Sequence, residues 1–260
     1  MTYLFLAVPN FCGSTLLSNL IETCPTVVTL RNKINKDNSN IEGNTSCNRG
    51  GYINLHGPHS IEANMEHVYS DPNNYDWPLI RMQWDEIWSR VNPYAEIRLQ
   101  KTPADIFRVK QIIKYFDDLK WILSVRNPYN HVESIFRKST FLMDPFRQFD
   151  QICYHAIRCL YIQMENERLL EDNCYTVTYE DFVSDTKYHR QAMGRFLPGL
   201  EYMNLDAELV IKGKVSNKLT NENNVRMNNF TRYAPTVINE INKYFKEHEG
   251  IINHWGYELM

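Results

Sequence analysis

Thr2-Tyr3-Leu4-Phe5-Leu6-Ala7-Val8-Pro9-Asn10-Phe11-Cys12-Gly13-Ser14-Thr15-Leu16-Leu17 is the stretch whose reading decides the fold class. Its first seven residues are an apolar run of aromatic and branched side chains, too short to cross a bilayer and suited to a buried strand. Pro9 cannot continue a ladder, so the strand is expected to end there. Leu16, Leu17, Leu20 and Ile21 then share one face of a helix. Ser14 and Thr15 are expected to start that helix, since a hydroxyl can accept from an orphan backbone N–H. Cys24-Pro25 closes it, and residues 26–30 read as a second strand. A strand, a tight loop with one glycine and a helix aim backbone N–H groups and two hydroxyls at one point, on the positive end of the helix dipole. A phosphate suits such a place; an ordinary turn whose Ser-Thr pair only caps the helix is the other reading. The loop lacks the lysine that precedes Ser/Thr in G-x-x-x-x-G-K-[ST], which argues against a kinase of the P-loop kind, the main alternative enzyme class.

The chain has 260 residues, suited to one α/β domain with elaborations. A hydrophobic content of 43% with 13% aromatic residues supports a large core. The net charge of -3 offers no reason to expect nucleic acid or an acidic membrane surface as a partner. The 6 cysteines form no C-x-x-C pair, which points to free thiols in a reducing compartment. With no basic leader and no long apolar span, the expectation is a soluble, cytoplasmic protein without a membrane span.

Further along, residues 31–58 are rich in Asn, Gly and Ser and read as a long surface loop, a common home for function. His56-Gly57-Pro58-His59 has no third ligand nearby, so no metal is expected. Residues 61–69 and 76–91 read as helices. The second carries Trp77, Trp84 and Trp88, either core or the lining of an acceptor pocket. Residues 95–101 alternate as a strand ending in Lys101-Thr102-Pro103, with a helix expected over 104–116. Leu119-Lys120-Trp121-Ile122-Leu123-Ser124-Val125 is a buried strand ended by Arg126-Asn127-Pro128, and Ser134 follows on the next helix. Lys101 and Arg126 thus sit at the carboxyl ends of strands, where open α/β sheets bind ligands. Arginine suits forked contact with a phosphate, although a structural salt bridge would also explain Arg126. A long helix is expected over 143–171, a strand over Cys174–Thr178 ending in Tyr179-Glu180-Asp181-Phe182, and a helix over 187–197. A basic loop is expected over 211–231, and a last amphipathic helix over 235–248.

Three of these stretches together resemble the sulfotransferase family, whose donor is 3′-phosphoadenosine 5′-phosphosulfate (PAPS). Val8-Pro9 through Gly13-Ser14-Thr15-Leu16-Leu17 looks like that family's 5′-phosphosulfate loop. Val125-Arg126-Asn127-Pro128 with Ser134 looks like its 3′-phosphate site. Lys101-Thr102-Pro103 matches the lysine-bearing segment between them. Tyr179-Glu180-Asp181-Phe182 and Trp255-Gly256-Tyr257-Glu258-Leu259 are also family-like. The resemblance spans nearly the whole chain, least over about 31–92, the variable acceptor side.

What the resemblance implies is a three-layer α/β/α fold on a mostly parallel sheet, in a single domain over 1–260. It implies transfer of a sulfuryl group from PAPS to a hydroxyl or amine of a small-molecule, sugar or peptide acceptor, without a metal. Phe11, Cys12, Gly13, Ser14 and Thr15 would cradle the 5′-phosphosulfate, Arg126 and Ser134 the 3′-phosphate. Tyr179 would lie near the adenine and Lys214 near the 3′-phosphate. Glu42, in Glu42-Gly43-Asn44, would be the acceptor base, with His59 and Glu62 in reserve. One departure stands out. Where the family usually carries a lysine or arginine after the proline, this chain has Asn10, and the loop is one residue longer before Gly13. Either another cation serves, with Lys101 the candidate, or the chain is a nucleotide-binding relative without efficient transfer.

Overall fold

The computed structural model describes residues 1–30, 70–138, 149–211, 214–216 and 235–260. Strand β1 (Thr2–Ala7) is buried from Tyr3 to Ala7. It lies in the middle of a 5-stranded sheet with β2 (Val27–Thr29), β3 (Ile97–Lys101), β4 (Leu119–Val125) and β5 (Cys174–Thr178), in the order β2-β3-β1-β4-β5. Every pairing is parallel. A parallel strand covered on both faces favours apolar residues at nearly every position, which is why β1 and β4 read as almost continuous runs.

Successive β1 side chains go to opposite faces. Tyr3, Phe5 and Ala7 enter an aromatic core with Trp84, Trp88, Phe116 and Trp121. Leu4, Leu6 and Val8 pack instead with Leu17, Leu20 and Ile21 of α1 (Ser14–Ile21) and with Phe182 and Met193. The tryptophan face of α2 (Trp77–Val91) is core: Trp77, Trp84 and Trp88 are all buried against the sheet. Helices α4 (Pro128–Lys138), α5 (Phe149–Leu170), α8 (Pro235–Phe245) and α9 (Glu249–His254) build a third cluster around Val125, Tyr129 and Ile152. Helices thus cover both faces of the sheet, the expected three-layer arrangement.

Several boundaries differ from the sequence expectation. Residues 104–116 are not one helix: a 3-10 segment, Pro103–Phe107, gives way at Arg108 to α3 (Val109–Ile112). Arg108 is fully buried and donates to Asp105 at 3.0 Å and to the Tyr75 hydroxyl at 3.1 Å. Its backbone at φ -110, ψ 0 interrupts the helix where that buried charge is held. Tyr179 to Phe182 do not extend β5. They begin α6 (Tyr179–Ser184), capped by the Thr178 hydroxyl, which accepts from the Asp181 N–H. Helix α7 (Thr186–Phe196) is capped by Asp185, which accepts from the Tyr188 N–H. The last amphipathic segment breaks at a 3-10 turn, Lys246–His248, and α9 follows, burying Ile251 and Ile252. Leu209–Ile211 (β6) and Lys214–Ser216 (β7) form a small antiparallel hairpin where a loop was expected. The expected helix over 61–69 and the histidines at 56 and 59 lie outside the described residues. Among the described residues, no helix is long and apolar enough to cross a membrane, and no group of His, Cys, Asp or Glu could hold a metal ion.

Helix α5 is fastened to the sheet at the place that matters. Gln163, fully buried, donates from Nε2 to the carbonyls of Ala7 at 2.5 Å and Ser124 at 3.0 Å. Those residues lie at or next to the last residue of β1 and β4, just before the two loops that carry the candidate site residues.

Candidate functional site

Strand β1 connects outward to β2 on one side of the sheet, and β4 connects to β5 on the other. Their adjacent carboxyl ends therefore form the switch point, where a crevice opens in doubly wound sheets. The β1–α1 loop turns sharply there. Phe11 has φ 64 and Gly13 has φ 91, and the Cys12 N–H closes back on the Pro9 carbonyl at 3.2 Å. Gly13, not Ser14, is the N-cap of α1, and it brings no side-chain hydrogen bond to the helix end. Only glycine fits the position for a second reason: a Cβ there would lie 2.6 Å from Cδ2 and Cε2 of the Tyr179 ring.

The loop after β4 contributes Arg126, 3% exposed. Its Nη1 donates to the Phe11 carbonyl and to the Ser134 hydroxyl, each at 2.7 Å. Its guanidinium lies 5.1 Å from the centroid of the Tyr179 ring. Nε and Nη2 of the same side chain are buried and have no hydrogen-bond partner among the described residues. An ionised group whose donors are left over in this way is costly, and the cost is relieved when an anion supplies the acceptors. Asn127 Oδ1 caps α4 by accepting from the Tyr129 N–H at 3.0 Å. A small cavity between the β1–α1 loop, the ends of β4 and β5, and α6 is lined by Val8, Cys12, Gly13, Ser124, Tyr179 and Phe182.

Glu180 joins the surrounding parts. Its carboxylate accepts from the Asn127 N–H at 3.2 Å, Asn130 Nδ2 at 3.3 Å and the Tyr257 hydroxyl at 2.7 Å. Burial, and then the Glu180 carboxylate, hold the Tyr257 phenol far above its ordinary range, so it stays a donor. His131, on α4, lies 2.8 Å from the Asn10 carbonyl through Nε2.

Phe11, Gly13, Arg126, Ser134 and Tyr179 are therefore brought into one connected cluster. Cys12 lines the adjoining cavity, and Ser14 and Thr15 form the first turn of α1. Lys101 is the last residue of β3, in register with Leu6 of β1 and 9% exposed. That places it at the neighbouring strand end, across β1 from Arg126. Lys214 opens β7, its side chain outside the described part of the structure. Glu42, with His59 and Glu62, lies outside the described residues. Sequence reasoning passed over His131, Gln163 and the linking role of Glu180 and Tyr257. His131 falls inside the Arg126–Ser134 segment, and Gln163 interrupts the apolar face of a long helix; a polar residue in such a place was the available signal.

The architecture defines a doubly wound α/β protein, a class whose ligands bind at the carboxyl edge of the sheet. The chain belongs to the sulfotransferase family, whose sequence profile matches residues 12–203. Its fold is similar to that of a sulfotransferase from Alicyclobacillus acidocaldarius, at 12% identity and TM-score 0.57 over 100% of this chain and 97% of that one. It is also similar to sulfotransferase STF9 from Mycobacterium avium, at 11% identity and TM-score 0.58 over 99% and 77%. Among curated proteins, none matches the sequence. Family and fold together support sulfuryl transfer as the general chemistry.

Proposed function

We propose that this chain transfers a sulfuryl group from 3′-phosphoadenosine 5′-phosphosulfate to a hydroxyl or amine on a small-molecule, sugar or peptide acceptor in the cytoplasm. The observation that carries the reading is Arg126. One of its nitrogens is tied to the β1–α1 loop and to Ser134, and two buried donors are left over among the described residues. That is the donor set a 3′-phosphate would take, and the 3′-phosphate is what separates PAPS from ATP.

The donor fits the residues present. Arg126 and Ser134 would hold the 3′-phosphate, with Lys214 contributing charge. The N–H groups of Cys12, Gly13, Ser14 and Thr15, with Phe11, would face the phosphosulfate at the positive end of α1. Tyr179, already packed on Gly13 and the Arg126 guanidinium, would border the adenine. When bound, the donor supplies an activated sulfuryl group on a phosphate leaving group. The protein's work is then position and charge rather than covalent chemistry. Asn10 brings no cation to the bridging oxygen, and Lys101, at the adjacent strand end, is assigned that task. Glu42, on the acceptor side over about 31–92, is assigned the proton from the acceptor. No metal is assigned. The second reading, a nucleotide-binding relative without efficient transfer, is favoured by Asn10 alone.

The test is a thermal-shift titration with 3′,5′-adenosine bisphosphate beside ATP. Saturation at a hundredfold excess over Kd should add about 2.7 kcal/mol to the folded state, with ATP giving no comparable shift. Arg126→Ala removes a charge-assisted contact of about 1.5–3 kcal/mol and should weaken the bisphosphate roughly ten- to a hundredfold. Equal stabilisation by ATP, or unchanged affinity in the variant, rejects the assignment. Transfer to a panel of acceptors, lost in Glu42→Gln with bisphosphate affinity kept, separates the enzyme from the non-catalytic relative.

A further inference from the structure

Two successive carbonyls of the β1–α1 loop are held by side chains from one neighbouring segment. Arg126 donates to Phe11 at 2.7 Å, and His131 faces Asn10 at 2.8 Å. A carbonyl oxygen only accepts, so the imidazole proton on that side is on Nε2. The His131 ring is 2% exposed and meets the His155 ring edge-on at 5.6 Å. Burial first, then His155 and Arg126, hold His131 well below the usual histidine range. The ring is therefore neutral, with a single N–H, and that N–H is used on Asn10. Between the two held carbonyls the backbone carries Phe11 at φ 64, a conformation that ordinary side chains adopt only under constraint. Asn10 is also the position where the loop lacks a basic side chain.

We propose that His131 is a positioning residue for the sulfuryl donor: its Nε2–H bond to the Asn10 carbonyl, beside the Arg126–Phe11 bond, fixes the loop so that its N–H groups face the donor's 5′ end. The inference rests on the reading of this loop as the donor site. Arg126 and Ser134, with Lys214, are assigned the 3′ end, so His131 governs 5′-phosphate affinity and leaves 3′-phosphate affinity alone.

The experiment compares His131→Leu, His131→Asn and His131→Gln. Glutamine carries its Nε2 as many bonds from the backbone as the histidine Nε2, whereas asparagine falls short of Asn10. Amide hydrogen exchange over residues 10–15 is followed without nucleotide, and affinities are measured for adenosine 5′-monophosphate and adenosine 3′-monophosphate. The leucine and asparagine variants should speed loop exchange and lose about tenfold in 5′-monophosphate affinity, one hydrogen bond's worth, with the 3′-monophosphate unchanged. Glutamine should restore both. Parallel losses for the two monophosphates, or rescue by asparagine as full as by glutamine, would mean that position 131 merely fills space. Loop exchange indifferent to residue 131 overturns the clamp by itself. A wild-type chain that binds neither monophosphate overturns the nucleotide reading, and the donor role with it, even where the clamp is real.

Discussion

Gly13 meets two demands at one residue: a left-handed backbone and a face pressed against the Tyr179 ring. Gly13→Ala should be destabilising on both counts, with about 1–2 kcal/mol from the left-handed conformation alone and more from the displaced ring. Urea unfolding of the variant should show that loss, and the double variant with Tyr179→Ala should recover the part due to the ring. The buried histidines make a separate prediction. His155 falls from its ordinary value of 6.5 to about 4 on folding, through burial. Above pH 6.5 it is neutral in both states and its contribution is flat. As pH drops from 6.5 toward 4, the unfolded chain takes up a proton that the folded one resists, and stability is lost. The loss is about 3 kcal/mol for this residue, and His131 moves in the same direction. Unfolding free energies between pH 7 and pH 4.5 should fall more steeply for the wild type than for His155→Leu. Identical slopes would place the acid sensitivity elsewhere.

At the scale of elements, the site is an agreement between the ends of β1 and β4, and α5 enforces it through Gln163. One side-chain amide satisfies the Ala7 and Ser124 carbonyls, while Asn166 beside it donates to the Ile106 carbonyl at 2.8 Å. Gln163→Leu would leave those buried carbonyls without that donor. The expected cost is about 1–3 kcal/mol in unfolding free energy. Both carbonyls lie immediately before a site loop, so bisphosphate affinity should fall as well. Calorimetry on the folded variant checks this, and affinity equal to the wild type would confine Gln163 to a structural role.

For the molecule as a whole, the far end of the sequence completes the crevice. Tyr257 reaches Glu180, which in turn holds the Asn127 N–H at the start of α4. Trp255 donates from its indole to the Leu160 carbonyl of α5 at 3.1 Å. Tyr129 receives the Met260 N–H at 3.0 Å. Tyr257→Phe removes a bond to a carboxylate, worth about 1.5–3 kcal/mol. It should lower the melting temperature and weaken 3′,5′-adenosine bisphosphate, because Asn127 adjoins Arg126. A variant as stable as the wild type would show that Glu180 is held sufficiently by Asn127 and Asn130.

Much of the scaffold was legible in the linear chain, because its signals are local. A strand buried on both faces is apolar at most positions, so β1 and β4 announced themselves. Proline and the turn to polar residues marked their ends, and with them Gly13 and Arg126. The bend at Arg108 was not legible, since the bond to Tyr75 that accompanies its local ion pair with Asp105 comes from a segment 33 residues away. Nor was the function of His131, Gln163 and Glu180. The bond from His131 to Asn10 spans 121 residues of sequence, Gln163 to Ala7 spans 156, and Tyr257 to Glu180 spans 77. The order of residues alone determined which strands are buried and where their tips fall. Only the tertiary structure decided which distant donor meets which carbonyl, because a hydrogen bond depends on position in space and leaves no periodic trace in the chain that makes it.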